Sequence, residues 1–301
     1  MNWKIRGYVE LLRPFTLLAP IIVSSSVMIA SLIYSGRTDV SFLAIIFTVI
    51  PASLCFALLN GASNALNQAT DYKEDKLSKP YRPIPKGILS RKEAQNISFL
   101  IYIFAMLLSL TINITFSLLV LFIAFFSITY SLPPRMKKLL FINQLWVAIP
   151  RGFLGILASW SVFASPFQNL PLAIGCISAL FLFGGTATKD ILDADADKKT
   201  GTKTLVNVIG LKKTSFISLL FMGSAFALII PLVMLNIIEF YLLPLVLLIV
   251  LSFLIFWLMI HSHKNEKCEN TSAWTLMYAT YIGYIMIFCT LIYLSSLPIL
   301  S

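Results

Sequence analysis

The sequence predicts an all-α polytopic membrane protein, with nine transmembrane helices in one bundle around a central cavity. Of the 301 residues, 58% are hydrophobic and only 12% are charged, whereas a soluble domain usually carries about 25% charged residues. The apolar residues form continuous runs close to the length of about 20 residues that a helix needs to cross a bilayer. These properties exclude a soluble globular enzyme, a disordered chain and a disulfide scaffold.

Nine segments have the length and apolar character of membrane helices. A β-barrel would show alternating strands of about ten residues, and these runs are continuous instead. No polar linker separates them, so we expect a single domain over residues 1–301. The predicted helices span residues 15–34, 41–63, 97–115, 117–132, 141–163, 168–188, 214–235, 241–260 and 273–298.

The basic residues predict the orientation of the bundle. Of the 23 Lys and Arg residues, 21 precede the first helix or follow the second, fourth, sixth or eighth, and only Arg37 and Arg151 do not. Because cytoplasmic loops carry the excess of Lys and Arg, the N-terminus and the loops 64–95 and 189–213 are predicted to be cytoplasmic, with the C-terminus outside and the cavity open to the cytoplasm. The net charge of +10 is then a topology signal, and no nucleic-acid partner is expected.

The first thirteen residues predict a helix that lies on the cytoplasmic surface of the membrane. Apolar residues such as Trp3 and Leu11 alternate with cations such as Lys4 and Arg13. This alternation is typical of an interfacial amphipathic helix.

Acidic residues gather in two short stretches on the predicted cytoplasmic side, one after the second helix and one after the sixth. Spacings of three and four residues place the oxygen-bearing side chains of each stretch on one face of a helix. Asp195 points away from that face. The two trios are Asn67, Asp71 and Asp75, and Asp190, Asp193 and Asp197.

These two acidic faces favour a bound cation, because like charges on one face repel each other. Oxygen ligands without His or Cys suit Mg²⁺, which is commonly shared with substrate phosphates. Two such faces across a cavity could hold Mg²⁺ and a diphosphate between them. The alternative is that acids in cytoplasmic loops are simply solvated, and two clusters at helical spacing, each at the end of a membrane helix, make it the weaker interpretation.

Two cations adjoin the acidic faces. Arg82 lies in a loop that Pro83 and Pro85 stiffen, and a guanidinium can bind phosphate oxygens through two parallel hydrogen bonds. Lys189 directly precedes the second acidic face. We expect both to bind substrate, although the positive-inside rule alone also accounts for cations in these loops.

Arg151 differs from the other cations because it lies within the fifth predicted helix. A charge at the centre of a membrane helix costs about 2.5–3.5 kcal/mol on insertion scales. We therefore expect Arg151 to face the cavity and to bind substrate. The alternative is a structural role, with Gln144 or backbone carbonyls freed near Pro150 as its partners.

The motifs resemble those of the UbiA-type intramembrane prenyltransferase family. The family pattern Asn-Asp-x-x-Asp-x-x-x-Asp followed by Arg-Pro is matched by residues 67–83, except that Gln68 replaces the first aspartate. The second motif, Asp-x-x-Asp-x-x-x-Asp, is matched by residues 190–197, and a Tyr-Ser-x-Pro-like stretch ending in Arg-x-Lys by residues 130–137. The family also has nine helices, and the resemblance covers nearly the whole chain.

The resemblance implies Mg²⁺-dependent transfer of a polyprenyl group from an allylic polyprenyl diphosphate to a lipophilic acceptor, at a site within the lipid bilayer. The implied catalytic residues are Asp71, Asp75, Asp190, Asp193 and Asp197, which together with Asn67 are the implied metal ligands. The expected substrate-binding residues are Asn67, Arg82, Tyr130, Lys137, Arg151 and Lys189. For Tyr130, a contact with the allylic cation competes with a role as an interfacial tyrosine.

The motifs leave the acceptor open. The Asn-Gln pair and the Pro-Arg-Gly sequence at 150–152 favour an aromatic quinone precursor. Geranylgeranyl transfer to a glycerol-phosphate ether lipid or to a chlorophyllide-type acceptor is the alternative. A membrane transporter fits less well, because transporters place charged residues near the middle of the membrane. An enzyme that transfers phospho-alcohol head groups would need Gly and Arg between its aspartates, and these are absent.

Overall fold

The protein is described by a computed structural model over residues 3–37, 39–261 and 271–297, and every regular element in these ranges is helical. The basic residues Lys264 and Lys267 of the last predicted cytoplasmic loop lie outside the described residues. The α-helices, in chain order, are α1 (Trp3–Leu12), α2 (Leu18–Tyr34), α3 (Phe42–Thr70), α4 (Tyr72–Ser78), α5 (Arg91–Leu110), α6 (Ile114–Ser131), α7 (Ile142–Ala148), α8 (Gly155–Trp160), α9 (Asn169–Gly185), α10 (Asp190–Thr200), α11 (Leu205–Ile209), α12 (Leu211–Ala227), α13 (Ile229–Met234), α14 (Ile249–His261) and α15 (Ser272–Ser295).

Eight helical stretches in the described ranges are long and apolar enough to cross a membrane, and each overlaps a predicted segment. The chain is therefore a multi-pass membrane protein. They are Pro14–Tyr34, Phe42–Thr70, Arg91–Leu110, Ile114–Ser131, Asn169–Asp195, Leu211–Met234, Phe240–His261 and Ser272–Ser295.

The fifth predicted helix, 141–163, is not among these eight. The chain is helical there from Ile142 to Trp160, but polar residues such as Asn143 and Arg151 lower the hydropathy of the stretch. The total of nine membrane helices therefore stays a prediction.

Two spans extend beyond their predicted ends. The second predicted helix (41–63) continues to Thr70. The sixth predicted helix (168–188) continues through a 3-10 turn at Thr186–Lys189 into α10. Hydropathy ends a predicted helix where polar residues begin. Here the polar residues face an internal cavity, so the helices continue through them.

The cavity is surrounded by one ring of helices, with a second layer outside part of it. Its wall is formed by α2, α3, α6, α9 and α15, together with the helix that runs through α7 and α8. Outside this ring, α5 packs against α3 and α6, while α12 and α14 pack beside α9 and α15. The outer helices expose large apolar side chains, including Leu100, Phe104 and Trp257, as a lipid-facing surface requires.

The α7-to-α8 helix changes its winding in the middle. Residues Ile149–Leu154 form a π-helical turn at Pro150, which has no backbone N–H to donate. At Gly152 the helix packs so closely on α9 that an added Cβ would lie 2.6 Å from the Cα of Ala179. The π turn carries Arg151, and its contact with α9 admits only glycine at position 152.

Helix α1 confirms the helix predicted over the N-terminal residues. It buries Gly7 and Leu11 against the protein and exposes Trp3 and Ile5. The chain then turns sharply at Arg13, whose φ of 56° is left-handed. An exposed apolar face beside a buried one suits a helix that lies on the membrane surface.

Three side-chain amides of α3, spaced by four residues, bind the backbone of this turn. We call Asn60, Asn64 and Gln68 the amide ladder. Their side-chain nitrogens donate to the carbonyl oxygens of Thr16, Leu12 and Leu11 at 2.9, 3.0 and 2.8 Å, respectively. Leu11 and Leu12 end α1, and Thr16 lies in the short 3-10 turn that follows. The last carbonyls of a helix lack intrahelical donors, and the ladder supplies the hydrogen bonds that buried carbonyls need.

Candidate active site

All the side chains that the sequence predicted for the site line a single cavity of about 340 Å³. They come from α3, α4, α6, α10, the α7-to-α8 helix and the loops between them. Asp195 is exposed and does not line the cavity. The predicted residues at the cavity wall are Asn67, Asp71, Asp75, Arg82, Tyr130, Lys137, Arg151, Lys189, Asp190, Asp193 and Asp197.

The first acidic trio stays on one side even though its helix is interrupted. Helix α3 ends at Thr70, and Asp71 forms the junction with α4. The backbone N–H of Asp71 donates to the carbonyl of Asn67 at 2.9 Å, and that of Asp75 donates to the carbonyl of Asp71 at 2.7 Å. Four-residue hydrogen bonding thus passes through the junction and keeps the three side chains aligned.

Basic side chains form ion pairs with carboxylates of both trios. Arg82 Nη1 donates to both oxygens of Asp75 at 2.9 Å, and both side chains are buried. Asp71 accepts from Lys137 and, at 3.0 Å, from Arg135. Lys79 forms an ion pair with Asp193 across the cavity. We call these ion pairs, together with Asn67, Tyr130, Lys189, Asp190 and Asp197, the rim of the cavity.

Tyr130 is at the centre of a second group of contacts in the rim. Its hydroxyl accepts a hydrogen bond from Lys189 Nζ at 2.7 Å and donates to Asn143 Oδ1 at 3.0 Å. Lys189 Nζ also lies 5.2 Å from the centre of the Tyr130 ring, a distance at which a cation is attracted to the ring face. Tyr130 therefore offers the cavity an aromatic face and links Lys189 to the fifth helix.

The oxygen ligands in the rim suit Mg²⁺, although several acids of the rim are paired with basic side chains. Within the described residues, no three His, Cys, Asp or Glu side chains are close enough to hold an ion by themselves, and three of the aspartates are paired with Lys79, Lys137 and Arg82. Burial and the nearby carboxylates of Asp190 and Asp193 raise the pKa of Asp197 to about 7. The carboxylates of Asp190, Asp193 and Asp197 thus lie within electrostatic range of one another, an arrangement that an added cation would stabilise.

Two other rim groups show the cost of burial. Burial raises the pKa of Asp75, and the Arg82 guanidinium opposes that effect. Burial likewise lowers the pKa of Lys137, against the attraction of Asp71. The charges of Asp75 and Lys137 are therefore each stabilised by an oppositely charged partner.

Arg151 lines the same cavity without taking part in these pairs. We call Arg151, Ser63, Ser127, Ser159 and Tyr278 the interior of the cavity. Among the described residues the Arg151 guanidinium has no hydrogen bond or ion pair, although its backbone carbonyl accepts from the Tyr281 hydroxyl at 3.1 Å.

Gln144, which the sequence offered as a structural partner of Arg151, makes no such contact. Its side chain is buried, and neither of its polar atoms has a hydrogen-bond partner. The prediction that Arg151 faces the cavity matches its position, whereas its binding role is not tested by position alone.

Three residues at the site were not predicted from the sequence: Lys79, Arg135 and Asn143. Lys79 was counted only as a topology signal, and its partner Asp193 is 114 residues away. Arg135 was matched to the family stretch but was not assigned to the site. Asn143 gave no signal beyond being a polar residue in an apolar helix, which is the feature that could have identified it.

Gln68 explains the departure from the family motif. It is almost fully buried, does not line the cavity and belongs to the amide ladder. The side chain at this position therefore supports the turn after α1, and the rim keeps its five aspartates.

The sequence matches the model of the UbiA prenyltransferase family over residues 22–281. Among curated proteins it is similar to the digeranylgeranylglyceryl phosphate synthases of Methanosphaera stadtmanae, at 27% identity over 71% of this chain and 72% of the relative, and of Pyrococcus furiosus, at 29% identity over 72% and 74%. The synthase of Methanococcoides burtonii is 30% identical over 65% of this chain and 68% of its own.

Solved structures share the fold. A UbiA homologue from Archaeoglobus fulgidus, bound to DMAPP and Mg²⁺, has a TM-score of 0.62 at 20% identity and covers 94% of this chain and 99% of its own. The apo structure of a UbiA homologue from Aeropyrum pernix gives 0.68 at 20% identity, over 89% and 97%. A digeranylgeranylglyceryl phosphate synthase structure gives 0.63 at 22% identity, over 96% and 97%.

Proposed function

The chain belongs to the UbiA prenyltransferase family, and we propose that it transfers a geranylgeranyl group from its diphosphate to a hydroxyl of a glycerol-phosphate ether lipid. The observation that carries the proposal is the rim, where five aspartates and their cations surround one cavity between membrane helices. Curated relatives at 27% and 29% identity are named digeranylgeranylglyceryl phosphate synthases. The aromatic quinone acceptor that the sequence favoured is not confirmed by the comparisons.

The acidic residues of the rim are proposed to hold Mg²⁺ together with the donor diphosphate. Bound Mg²⁺ would neutralise the diphosphate and make it a better leaving group. The oxygen ligands present and the burial of Asp197 close to Asp190 and Asp193 support this assignment. The proposed ligands are Asn67, Asp71, Asp75, Asp190, Asp193 and Asp197.

The cations of the rim are proposed to bind the diphosphate oxygens. Arg82, Lys137 and Lys189 already lie at the cavity wall, so charge that develops on the leaving group meets fixed positive groups. The allylic C–O bond breaks, and its electron pair leaves with the diphosphate. The Tyr130 ring faces the resulting carbocation.

The acceptor hydroxyl then attacks the allylic carbon, forming an ether bond and releasing its proton. Water must be excluded at this stage, because it would capture the carbocation. The surrounding wall of membrane helices supports that requirement. We also propose that the rim and the N-terminus face the cytoplasm and that the C-terminus lies outside, as the distribution of basic residues indicates.

The test supplies the purified protein in lipid nanodiscs with Mg²⁺, labelled geranylgeranyl diphosphate and a panel of acceptors. The panel holds geranylgeranylglyceryl phosphate, a carboxylated phenol and a chlorophyllide. We expect diphosphate release and a new ether product with the first, and no transfer after chelation of Mg²⁺. Transfer to the phenol or the chlorophyllide alone would overturn the proposed acceptor. The absence of diphosphate release with every acceptor would overturn the proposed reaction.

A further inference from the structure

Arg151 is a charged side chain whose partner is not supplied by the described part of the protein. It lies in the π turn of a helix that crosses the bundle, and it lines the cavity. Ionisable residues inside a membrane bundle almost always pair with another group or mark a substrate path. An Arg that lines a cavity and has no partner among the described residues is therefore suited to bind an anionic ligand.

The acids of the rim do not serve as this partner. Asp71, Asp75 and Asp193 are paired with Lys137, Arg82 and Lys79, respectively. The groups within electrostatic range of Arg151 include the hydroxyls of Tyr278 and Tyr281 and the ammonium group of Lys189, whose positive charge repels that of Arg151. The interior thus combines a net positive charge with neutral hydrogen-bonding groups, which suits a bound oxyanion.

Arg151 also lies at a different level of the fifth helix from the contacts around Tyr130. Asn143 belongs to the contacts around Tyr130 and Lys189 in the rim. Arg151 is eight residues further along the same helix, which corresponds to a distance on the order of 10 Å. A diphosphate bound among the aspartates therefore leaves Arg151 free to bind a second anionic group, and the second substrate of the reaction is the acceptor.

We infer that Arg151 determines acceptor specificity by binding an oxyanion on the acceptor, so that the enzyme prefers anionic acceptors over neutral ones of the same shape. The inference rests on the proposed prenyl-transfer function. A phosphate on a glycerol lipid and a carboxylate on a phenol share this chemistry, because either can accept two parallel hydrogen bonds from a guanidinium. A neutral acceptor would leave the guanidinium buried without a partner.

The experiment compares wild type with Arg151→Met and Arg151→Lys on two matched pairs of acceptors. One pair is geranylgeranylglyceryl phosphate and the same ether lipid without its phosphate. The other is a carboxylated phenol and the corresponding phenol without the carboxylate. For each, kcat/KM for the acceptor and KM for geranylgeranyl diphosphate are measured. Arg37→Met, which removes a positive charge from an exposed ion pair with Asp39, is the control and should behave like wild type.

We expect Arg151→Met to lower kcat/KM by at least tenfold for the anionic acceptor that the wild type uses, and by less than twofold for its neutral counterpart. The donor KM should not change, and Arg151→Lys should recover part of the preference because it retains the charge but not the planar fork. Equal losses on the anionic and neutral acceptors, or a raised donor KM, would overturn the inference. If Arg151→Met does not fold, Arg151→Lys provides the test. A weakened preference for the anionic acceptor with an unchanged donor KM supports the inference. An unchanged preference for the anionic acceptor overturns it.

Failure of the proposed acceptor is distinguishable from failure of this inference. A wild-type enzyme that uses only the carboxylated phenol contradicts glycerol-phosphate transfer, while a tenfold charge preference that depends on Arg151 still supports the role of that residue. A wild-type enzyme that uses neutral and anionic acceptors equally overturns the inference whichever acceptor it prefers.

Discussion

The rim and the interior of the cavity handle charge in opposite ways. In the rim, Asp75 has Arg82 as its partner, and Asp193 has Lys79. In the interior, Arg151 lines the cavity near Tyr278 and has no acidic partner among the described residues. The rim is close to charge balance before any ligand arrives, whereas the interior is not.

This difference separates two kinds of binding. Ion pairs in the rim can be exchanged, since each acid can release its cation to a phosphate oxygen and accept a metal ion instead. The interior has no pair to exchange and gains by binding an anion directly. Under the proposed function, donor and acceptor would be recognised by different electrostatic means within one cavity.

The largest expected effect is the loss of transfer when a rim acid is removed. Asp71→Ala or Asp193→Ala should reduce turnover by at least about a thousandfold, because stabilisation of the leaving diphosphate is lost. Asp193→Ala removes a partly exposed side chain in the first turn of α10 and should leave the protein folded, whereas Asp71→Ala also leaves the buried Lys137 without its acid and should lower the melting temperature. Diphosphate release in nanodiscs measures the effect, and near-normal activity in either variant would break the distinction between rim and interior.

Removal of one partner of a buried rim pair should lower stability. Arg82→Met leaves the buried Asp75 carboxylate without its cation, which should cost about 3 kcal/mol, and the melting temperature in detergent should fall. The double variant Asp75→Leu/Arg82→Met should regain much of that stability without regaining activity. Arg151→Met leaves no stranded acid, so its melting temperature should not fall in the same way. Equal destabilisation by the two Arg variants would contradict the comparison.

A smaller effect distinguishes the acids of α10 from one another. Asp193→Asn should lower kcat/KM about tenfold or more, because Asp193 lines the cavity, whereas the exposed Asp195→Asn should change it less than about twofold. Steady-state kinetics with geranylgeranyl diphosphate measure both. Equal losses would mean that Asp195 belongs to the rim.

The smallest effect concerns the support behind both regions. Gln68→Leu removes one hydrogen bond of the amide ladder and leaves the Leu11 carbonyl unpaired, which should cost about 1–2 kcal/mol of stability. Thermal unfolding and the rate of proteolysis near α1 measure the change. Gln95→Leu on α5 is the matched control, because that side chain has no hydrogen bond within the described residues. An unchanged melting temperature for Gln68→Leu would show that the ladder is dispensable.

The sequence could predict the features that depend on composition and local spacing. Continuous apolar runs located eight spans, and the spacing of Asp190, Asp193 and Asp197 anticipated their common side. Sequence could not predict the pairing of Lys79 with Asp193, since contacts between residues 114 positions apart depend on how the helices pack. The role of Gln68 could not be predicted either, because a sequence does not distinguish an amide that supports a turn from an amide that binds a ligand.

The π turn at Ile149–Leu154 has a consequence for the phase of the fifth helix. Residues of that helix at four-residue intervals line the cavity: Asn143, Val147, Arg151, Gly155 and Ser159. In a regular α-helix each four-residue step rotates the side chain by about 40°, so the last of the five would point well away from the first. A π turn uses more residues per turn and offsets that rotation. One helix can thus present a continuous stripe from the rim to the interior, and removing a single residue from the turn would rotate one end of the stripe out of the cavity.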